Sequence, residues 1–206
     1  MIDFFLDAYK NATTFDIVME AIVFFFGIIS VYYAKKENIL VYPTGIIATI
    51  ITVYLLYKAE YFADMTLNVY FSIMSIYGWV NWSRIKEDEH VIKISRTNTT
   101  QKIIGILLFF LTIVVTYCIY HLFGKEILPE NYIDIVTSGI FFTGMWYMAL
   151  KKIENWTLWI IGDIIAVPLY AYRGLGMLSL QYVFFTILAI LAYLEWRKIL
   201  SNNQQI

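Results

Sequence analysis

An all-α membrane protein is the fold class that this sequence predicts, on two observations. Of the 206 residues, 60% are hydrophobic and only 15% are charged, which lies outside the range of ordinary soluble domains. The apolar residues also form runs long enough for a helix to cross a bilayer core, which takes about 20 residues. Polar and apolar residues do not alternate within these runs, so helices rather than a closed barrel must satisfy the backbone in lipid.

Seven such runs can be traced along the chain. Short polar segments separate most of them, and Ser83 to Gln101 is the one long hydrophilic stretch, with its last part, RTNTTQ at 96–101, expected to be a loop. The acid-rich start lacks the positive region of a signal peptide, so the first span is expected to remain in the protein. The predicted spans are 16–34, 39–57, 62–82, 102–124, 132–150, 156–172 and 176–196.

The basic residues indicate how the helices are oriented. With seven spans, one side of the membrane receives four of the 15 Lys and Arg residues (Lys10, Lys58, Lys125 and Arg173), and the other side receives the remaining eleven. Because the cytoplasmic side of a membrane protein carries the excess of basic residues, the N-terminus is expected outside and the C-terminus in the cytoplasm.

An internal repeat is predicted within a single membrane domain of residues 1–206. The order of acids, glycines and loop residues in 16–82 returns in 132–196, where the KKEN at 35–38 is echoed by the KKIEN at 151–155, and Trp82 by Trp196. Residues 102–124 then form a linking helix. Two three-helix repeats with one helix between them lie in the same orientation, as in transporters built from parallel repeats.

The run from Glu154 to Tyr170 contains the main candidate site. At helical spacing, Trp156, Trp159, Asp163 and Tyr170 share one face. A carboxylate in a membrane-spanning helix is costly, so Asp163 is expected to face a cavity or a partner. An aromatic face with one carboxylate suits a flat or cationic ligand. Structural hydrogen bonding by Asp163, and an interfacial role for Trp156, are the alternatives.

A second polar face is predicted on the third span. Asp64, Asn68, Ser72, Ser75 and Trp79 follow one another at steps of four, four, three and four residues. A polar face in a lipid-spanning helix should point inward, either to hold a ligand or to join helices. On the seventh span, Gln181 falls near the position equivalent to Asn68 and would add a second carboxamide, which both donates and accepts hydrogen bonds.

Several functional classes find little support. The single cysteine allows no intrachain disulfide, and the chain lacks the HExxH, GxSxG and P-loop motifs as well as a basic, aromatic-rich patch for nucleic acid. No cofactor or metal is expected. An intramembrane aspartyl protease would need Asp134 as the companion of Asp163, and this stays a distant alternative. A membrane scaffold or ligand sensor that does not transport its ligand is another alternative function.

Long segments of the chain resemble the Pnu family of vitamin transporters, which includes the PnuC-type nicotinamide riboside transporters. These segments are KENILVYPTGI (36–46), YFADMTLNVYFSIMSIYGWVNW (61–82) and ENWTLWIIGDIIAVPLYAYRGL (154–175). The resemblance implies a SWEET-like 3+1+3 fold in the bacterial cytoplasmic membrane. It also implies a substrate site around the WxxW motif, here Trp156 to Trp159, and polar residues of the third, sixth and seventh helices.

The resemblance implies nicotinamide riboside as the first-choice substrate, since it is the family's commonest assignment. Its flat, positive pyridinium would suit Trp159, Tyr170 and Asp163, and its ribose would suit Asn68 and Gln181. The resemblance implies facilitated diffusion, with phosphorylation by a cytoplasmic kinase trapping the product without a stable complex. Thiamine, also an aromatic cation, is the alternative. Asn68 stands where the family's glutamine is expected, and Asp163 where some relatives carry asparagine. Membrane lipid is the other expected contact, and a homo-oligomer is compatible with the sequence.

Overall fold

The computed structural model describes residues 13–58, 62–86, 89–90, 92–122 and 127–203. Within them lie seven long helices, numbered here in chain order, and each corresponds to one predicted span. The seventh continues well past its predicted end at 196, and residues 123–124 of the fourth span lie outside the described residues. The helices are α1 Thr14–Lys35, α2 Val41–Lys58, α3 Phe62–Ser83, α4 Thr99–Leu122, α5 Pro129–Ala149, α6 Glu154–Tyr172 and α7 Gly176–Asn203.

The prediction that 96–101 is all loop was wrong, because α4 begins at Thr99. Asn98 and Gln101 explain the early start. The Gln101 backbone N–H donates to Asn98 Oδ1 at 2.8 Å, and the Asn98 N–H donates to Gln101 Oε1 at 3.0 Å. This reciprocal pair caps the helix by satisfying backbone donors that have no partner within it.

The hydrophilic stretch before α4 is also more ordered than a loop. Two short antiparallel strands, β1 (Ile85–Lys86) and β2 (Glu89–His90), form a hairpin. Further on, Ser95 pairs with the turn between α5 and α6. Its N–H donates to Lys151 O at 3.1 Å, and its carbonyl accepts from the Ile153 N–H at 3.0 Å. Ile94 beside it is 5% exposed, so this segment packs against the end of the bundle.

Six of the helices form a ring. Along the chain, α1 packs on α2 and α2 on α3, while α5 packs on α6 and α6 on α7. Contacts of α1 with α7 and of α3 with α5 close the ring, and α4 lies outside it against α5. By length and hydropathy, α1, α2, α4 and α7 are apolar enough to cross a membrane. The other three carry more polar residues, many of which face the ring interior.

The turns after α1 and α5 have the same local geometry. Glu37 has φ 52° and Lys151 has φ 50°. The N–H of the following residue bonds back five residues in each turn, from Asn38 to Tyr33 O and from Lys152 to Tyr147 O, both at 2.9 Å. The two turns therefore correspond at a separation of 114 residues. Aligning the two turns pairs Glu37 with Lys151. Aligning instead the KK dipeptides at 35–36 and 151–152 pairs Lys35 with Lys151.

A cluster of aromatic side chains closes one end of the ring, called here the Lys151 end. Tyr42 lies edge-on to Trp82, with ring centroids 5.1 Å apart, and Trp156 lies edge-on to Trp196 at 5.4 Å. Trp82 and Trp196 contact each other at 6.3 Å. All four side chains are at most 2% exposed. The opposite end, where α6 finishes, is called here the Arg173 end.

Candidate substrate-binding site

A cavity of about 1010 Å³ lies inside the ring, which is at the upper end of the range for small-molecule sites. Tyr42 and Trp156 form its floor at the Lys151 end. Among the described residues that line the Arg173 end, Leu128 is 49% exposed and Tyr172 is 79% exposed. In the described part of the chain, the cavity is therefore sealed at the Lys151 end and exposed at the Arg173 end.

Six of the eight residues predicted for the site line this cavity: Asn68, Trp156, Trp159, Asp163, Tyr170 and Gln181. Ser72 and Trp79 do not. The Ser72 hydroxyl lies 2.7 Å from Thr49 Oγ1, so it joins α3 to α2. Trp79 is 41% exposed on the outside of the ring.

Tyr42 explains why the cavity ends before it reaches Trp79. Its ring packs directly on Gly78, where a Cβ would come within 2.5 Å of the phenol. Of the polar face predicted on α3, Asp64, Asn68 and Ser75 line the cavity. Helical spacing placed Trp79 on this inward-facing stripe, but its side chain lies on the outside of the ring.

Asp163 is the most unusual group on the cavity wall. Its side chain is 1% exposed, and no described residue forms a hydrogen bond with Oδ1. Gly162 beside it lets Phe141 approach α6 so closely that a Cβ there would overlap the ring. A buried polar atom normally has a partner, and a charged one in a membrane costs several kcal/mol, roughly 2.5–3.5 on insertion scales. Asp163 therefore suits a cationic or hydrogen-bonding ligand.

Aromatic rings form a column along the same wall. Trp159 lies against Phe141 with centroids 5.3 Å apart and planes inclined by 29°, and Phe141 lies 6.1 Å from Tyr182 at 24°. Tyr182 stacks on Tyr170 at 5.1 Å and 12°. Phe71 flanks Trp159 from α3 at 5.8 Å. The indole N–H groups of Trp156 and Trp159 have no hydrogen-bond partner among the described residues.

Sequence reasoning missed Phe141 and Tyr182. Phenylalanine is abundant in all the apolar runs, so Phe141 carries no signal of its own. A signal did exist in Gly162, because a glycine directly before the buried Asp163 indicates close approach by a neighbouring side chain. Tyr182 follows the predicted Gln181 and reaches the cavity beside it.

The wall formed by α1, α2 and α3 is different, because it carries small hydroxyl groups and an amide. Ser30, Thr49, Ser75 and Asn68 line it. The Asn68 amide donates to Asp64 O at 2.9 Å, while its Oδ1 has no partner among the described residues. Gln181 is 8% exposed, and within the same part of the chain its amide makes no hydrogen bond either. These groups suit the hydroxyls of a sugar.

An ion pair stands at the Arg173 end. The Arg173 guanidinium lies 2.5 Å from Asp134 Oδ2, which also accepts a hydrogen bond from Tyr120 Oη at 3.4 Å. Arg173 follows Asp163 by ten residues, about 15 Å along a helix. Asp134 therefore pairs with Arg173 at a distance from Asp163, and the two carboxyl groups do not form the proton-sharing pair of an aspartyl protease.

Three comparisons with known proteins agree. The family described as nicotinamide mononucleotide transporter matches residues 17–198. The nicotinamide riboside transporters PnuC of Escherichia coli K12 and Shigella flexneri are each 26% identical over 201 residues, covering 86% of this chain and 84% of theirs. The crystal structure of the vitamin B3 transporter PnuC superposes with a TM-score of 0.73 and 21% identity over 98% of this chain and 89% of that one.

The match confirms the resemblance to the Pnu transporters and the all-helical fold. It also confirms the expected location, a multi-pass protein of the bacterial inner membrane. The family and both relatives are named as transporters of small molecules, which favours transport over catalysis. The family match spans most of the chain, so this protein is a member of the nicotinamide mononucleotide transporter family.

Proposed function

We propose that this protein takes up nicotinamide riboside by facilitated diffusion and that cytoplasmic phosphorylation traps the product. The observation that carries the proposal is the Asp163 carboxylate beside the ring column, whose Oδ1 has no hydrogen-bond partner among the described residues. A pyridinium is a flat aromatic cation, so it can stack against Trp159 or Phe141 and place its positive charge near Asp163. Since trapping consumes the free substrate in the cytoplasm, the kinase need not bind the transporter.

The opposite wall suits the other half of such a ligand. With the pyridinium against Trp159 and Asp163, the ribose lies toward Asn68 and Gln181, whose amides can each donate and accept hydrogen bonds. Ser75 lines the same cavity and can add a hydroxyl. A nucleoside thus meets an aromatic, acidic wall on α6 and a polar wall on α3 and α7.

The charges of the cavity favour a riboside over its phosphorylated form. Among the described residues that line the cavity, four carry a carboxylate, Asp64, Glu130, Asp134 and Asp163, and one is basic, Arg173. That one cation is already paired with Asp134. A phosphate with its negative charge would face uncompensated carboxylates, which repel it. This supports the riboside named for the curated relatives rather than the mononucleotide in the family's description.

We further propose that the two three-helix repeats, 16–82 and 132–196, move against each other around this cavity, with α4 as the linking helix. Support comes from the matching turns at Glu37 and Lys151 and from the pairing of Trp82 with Trp196 at the same separation of 114 residues. The excess of basic residues at the Lys151 end supports a cytoplasmic position for that end, with seven spans and the N-terminus outside.

Thiamine is the second candidate, because it too is an aromatic cation and Asp163 would suit it equally. Titration calorimetry on the purified protein with nicotinamide riboside, nicotinamide mononucleotide and thiamine separates the possibilities. We expect the riboside to bind at least tenfold more tightly than either of the others. Tight binding of thiamine with none of the riboside would reverse the assignment, and tight binding of the mononucleotide would contradict the charge argument.

A further inference from the structure

The two proposed repeats place side chains of very different size on the cavity wall. In the register set by the turns at Glu37 and Lys151, corresponding residues are 114 positions apart. Each ring of the column then has a counterpart without a ring in the first repeat, and both members of every pair line the cavity: Trp159 with Gly45, Phe141 with Gly27, Tyr182 with Asn68 and Tyr170 with Leu56. Two of the counterparts are glycines, so the first repeat leaves room where the second has a ring.

Gly27 lies against a residue that suits the sugar of the ligand. A Cβ at position 27 would come within 3.2 Å of Gln181 Nε2 and 3.2 Å of the Phe185 ring. Gln181 is 8% exposed, lines the cavity, and makes no hydrogen bond within the described part of the chain. Because both contacts are closer than normal packing allows, a methyl group at position 27 would displace the Gln181 amide and the Phe185 ring, which both line the cavity.

Gly45 has the same relation to two hydroxyl groups on the cavity wall. A Cβ at position 45 would come within 3.1 Å of Ser30 Oγ and 3.8 Å of Ser75 Oγ. Ser30 is held in place, because its hydroxyl donates a hydrogen bond to Val41 O at 2.8 Å. Since Gly45 and both serines line the cavity, a side chain at position 45 would take up space next to these hydroxyl groups.

We propose that Gly27 and Gly45 determine the size of the ligand that the cavity accepts, by leaving room for a sugar attached to the aromatic cation. The inference rests on the proposed function, which places the pyridinium against Trp159 and Asp163. The ring column and Asp163 then recognise the flat cation, whereas the space and the polar groups beside the two glycines recognise its substituent. Filling that space penalises a ligand that carries the sugar and spares one that lacks it.

Two ligands with the same pyridinium ring test this by titration calorimetry on the purified, full-length protein. They are nicotinamide riboside and 1-methylnicotinamide, which carries a methyl group in place of the ribose. We expect the wild type to bind the riboside about tenfold more tightly or better. Gly27→Ala and Gly45→Ala should each weaken riboside binding by about fivefold or more and leave 1-methylnicotinamide within about twofold. If the two glycines served only to pack the helices, both ligands would lose affinity alike.

Gly144→Ala is the matched control. Gly144 does not line the cavity, and a Cβ there would be in ordinary contact, 3.4 Å from Leu158 Cβ and 3.6 Å from Trp159 Nε1. Both ligands should bind this variant within about twofold of the wild type. Equal losses of both ligands in Gly27→Ala and Gly45→Ala, or unchanged riboside binding in both, would overturn the size selection while leaving the proposed function intact. No binding of the riboside by the wild type would overturn the proposed function itself.

Discussion

Lys151 Nζ donates a hydrogen bond to Glu37 Oε2 at 3.1 Å, joining the turn after α1 to the turn after α5. Both residues have the left-handed backbone conformation that opens these turns. The Lys151 side chain is 6% exposed and its ammonium lies 4.5 Å from the centre of the Trp82 ring. One partly buried ion pair, with an aromatic ring beneath its ammonium, therefore ties the turn after α1 to the turn after α5 at the sealed end of the cavity.

Glu37→Gln should loosen this seal. The substitution keeps the shape but removes the charge that Lys151 needs, at a cost of about 1.5–3 kcal/mol for a hydrogen bond between charged groups. Ala34→Cys, at a fully buried position beside the floor, reports the opening in a Cys118→Ser background. We expect a maleimide to label it at least several-fold faster in Glu37→Gln. The charge swap Glu37→Lys with Lys151→Glu should restore slow labelling. Equal labelling rates in the parent protein, in Glu37→Gln and in the charge swap would show that the ion pair does not keep this end of the cavity closed.

Asp163→Asn should separate charge recognition from shape recognition. The amide is nearly isosteric with the carboxylate, so the cavity keeps its form while the counter-ion is lost. We expect the affinity for nicotinamide riboside to fall about 10–100-fold, roughly 1.4–2.8 kcal/mol. The reduced riboside, whose ring is uncharged, should bind the variant and the wild type within about threefold. Equal losses for both ligands would mean that Asp163 acts by position and not by charge.

Trp159 and Trp79 make a matched pair, because both are tryptophans of the predicted site and only Trp159 lines the cavity. Trp159→Leu should weaken riboside binding at least tenfold by removing the indole face next to Phe141. Trp79→Leu, on the outer surface, should leave the dissociation constant within about twofold. Titration calorimetry on the two purified variants checks this, and a large effect of Trp79→Leu would contradict the placement of the substrate inside the ring.

Gly162→Ala should displace the Phe141 ring and weaken ligand binding, because the added Cβ overlaps that ring. Gly105→Ala is the control: its Cβ would overlap the Tyr147 ring between α4 and α5, away from the cavity. Both changes overpack the protein at a cost of roughly 1–3 kcal/mol, so both should lower the melting temperature. Only Gly162→Ala should also reduce riboside affinity, by at least tenfold. A similar loss in Gly105→Ala would assign the effect to general destabilisation.

The helices could be predicted from the sequence because each is a long apolar run bounded by polar residues, and the face of α6 with Trp159 and Asp163 follows from helical spacing. Other features depend on tertiary contacts. The depth of the floor depends on how Tyr42 meets Gly78. The register of the proposed repeat depends on turn geometry, which pairs Glu37 with Lys151 although their charges are opposite.

The contacts between side chains of different helices could not be predicted from the sequence either. Nothing in the sequence marks Phe141 among the other phenylalanines, and its place in the ring column depends on the approach of α5 to Gly162. The ion pair of Asp134 with Arg173 joins residues 39 positions apart in the chain, so spacing along one helix could not reveal it. Without that pair, Asp134 remained a candidate partner for Asp163.

Flux through the purified protein tests the central claim most directly. Reconstituted into sealed vesicles loaded with unlabelled nicotinamide riboside, the wild type should accumulate labelled riboside by counterflow without ATP or an ion gradient. The Asp163→Asn variant should lose most of this exchange while remaining folded. Binding of the riboside without any exchange in wild-type vesicles would contradict the account and identify the protein as a ligand-binding membrane protein that does not transport it.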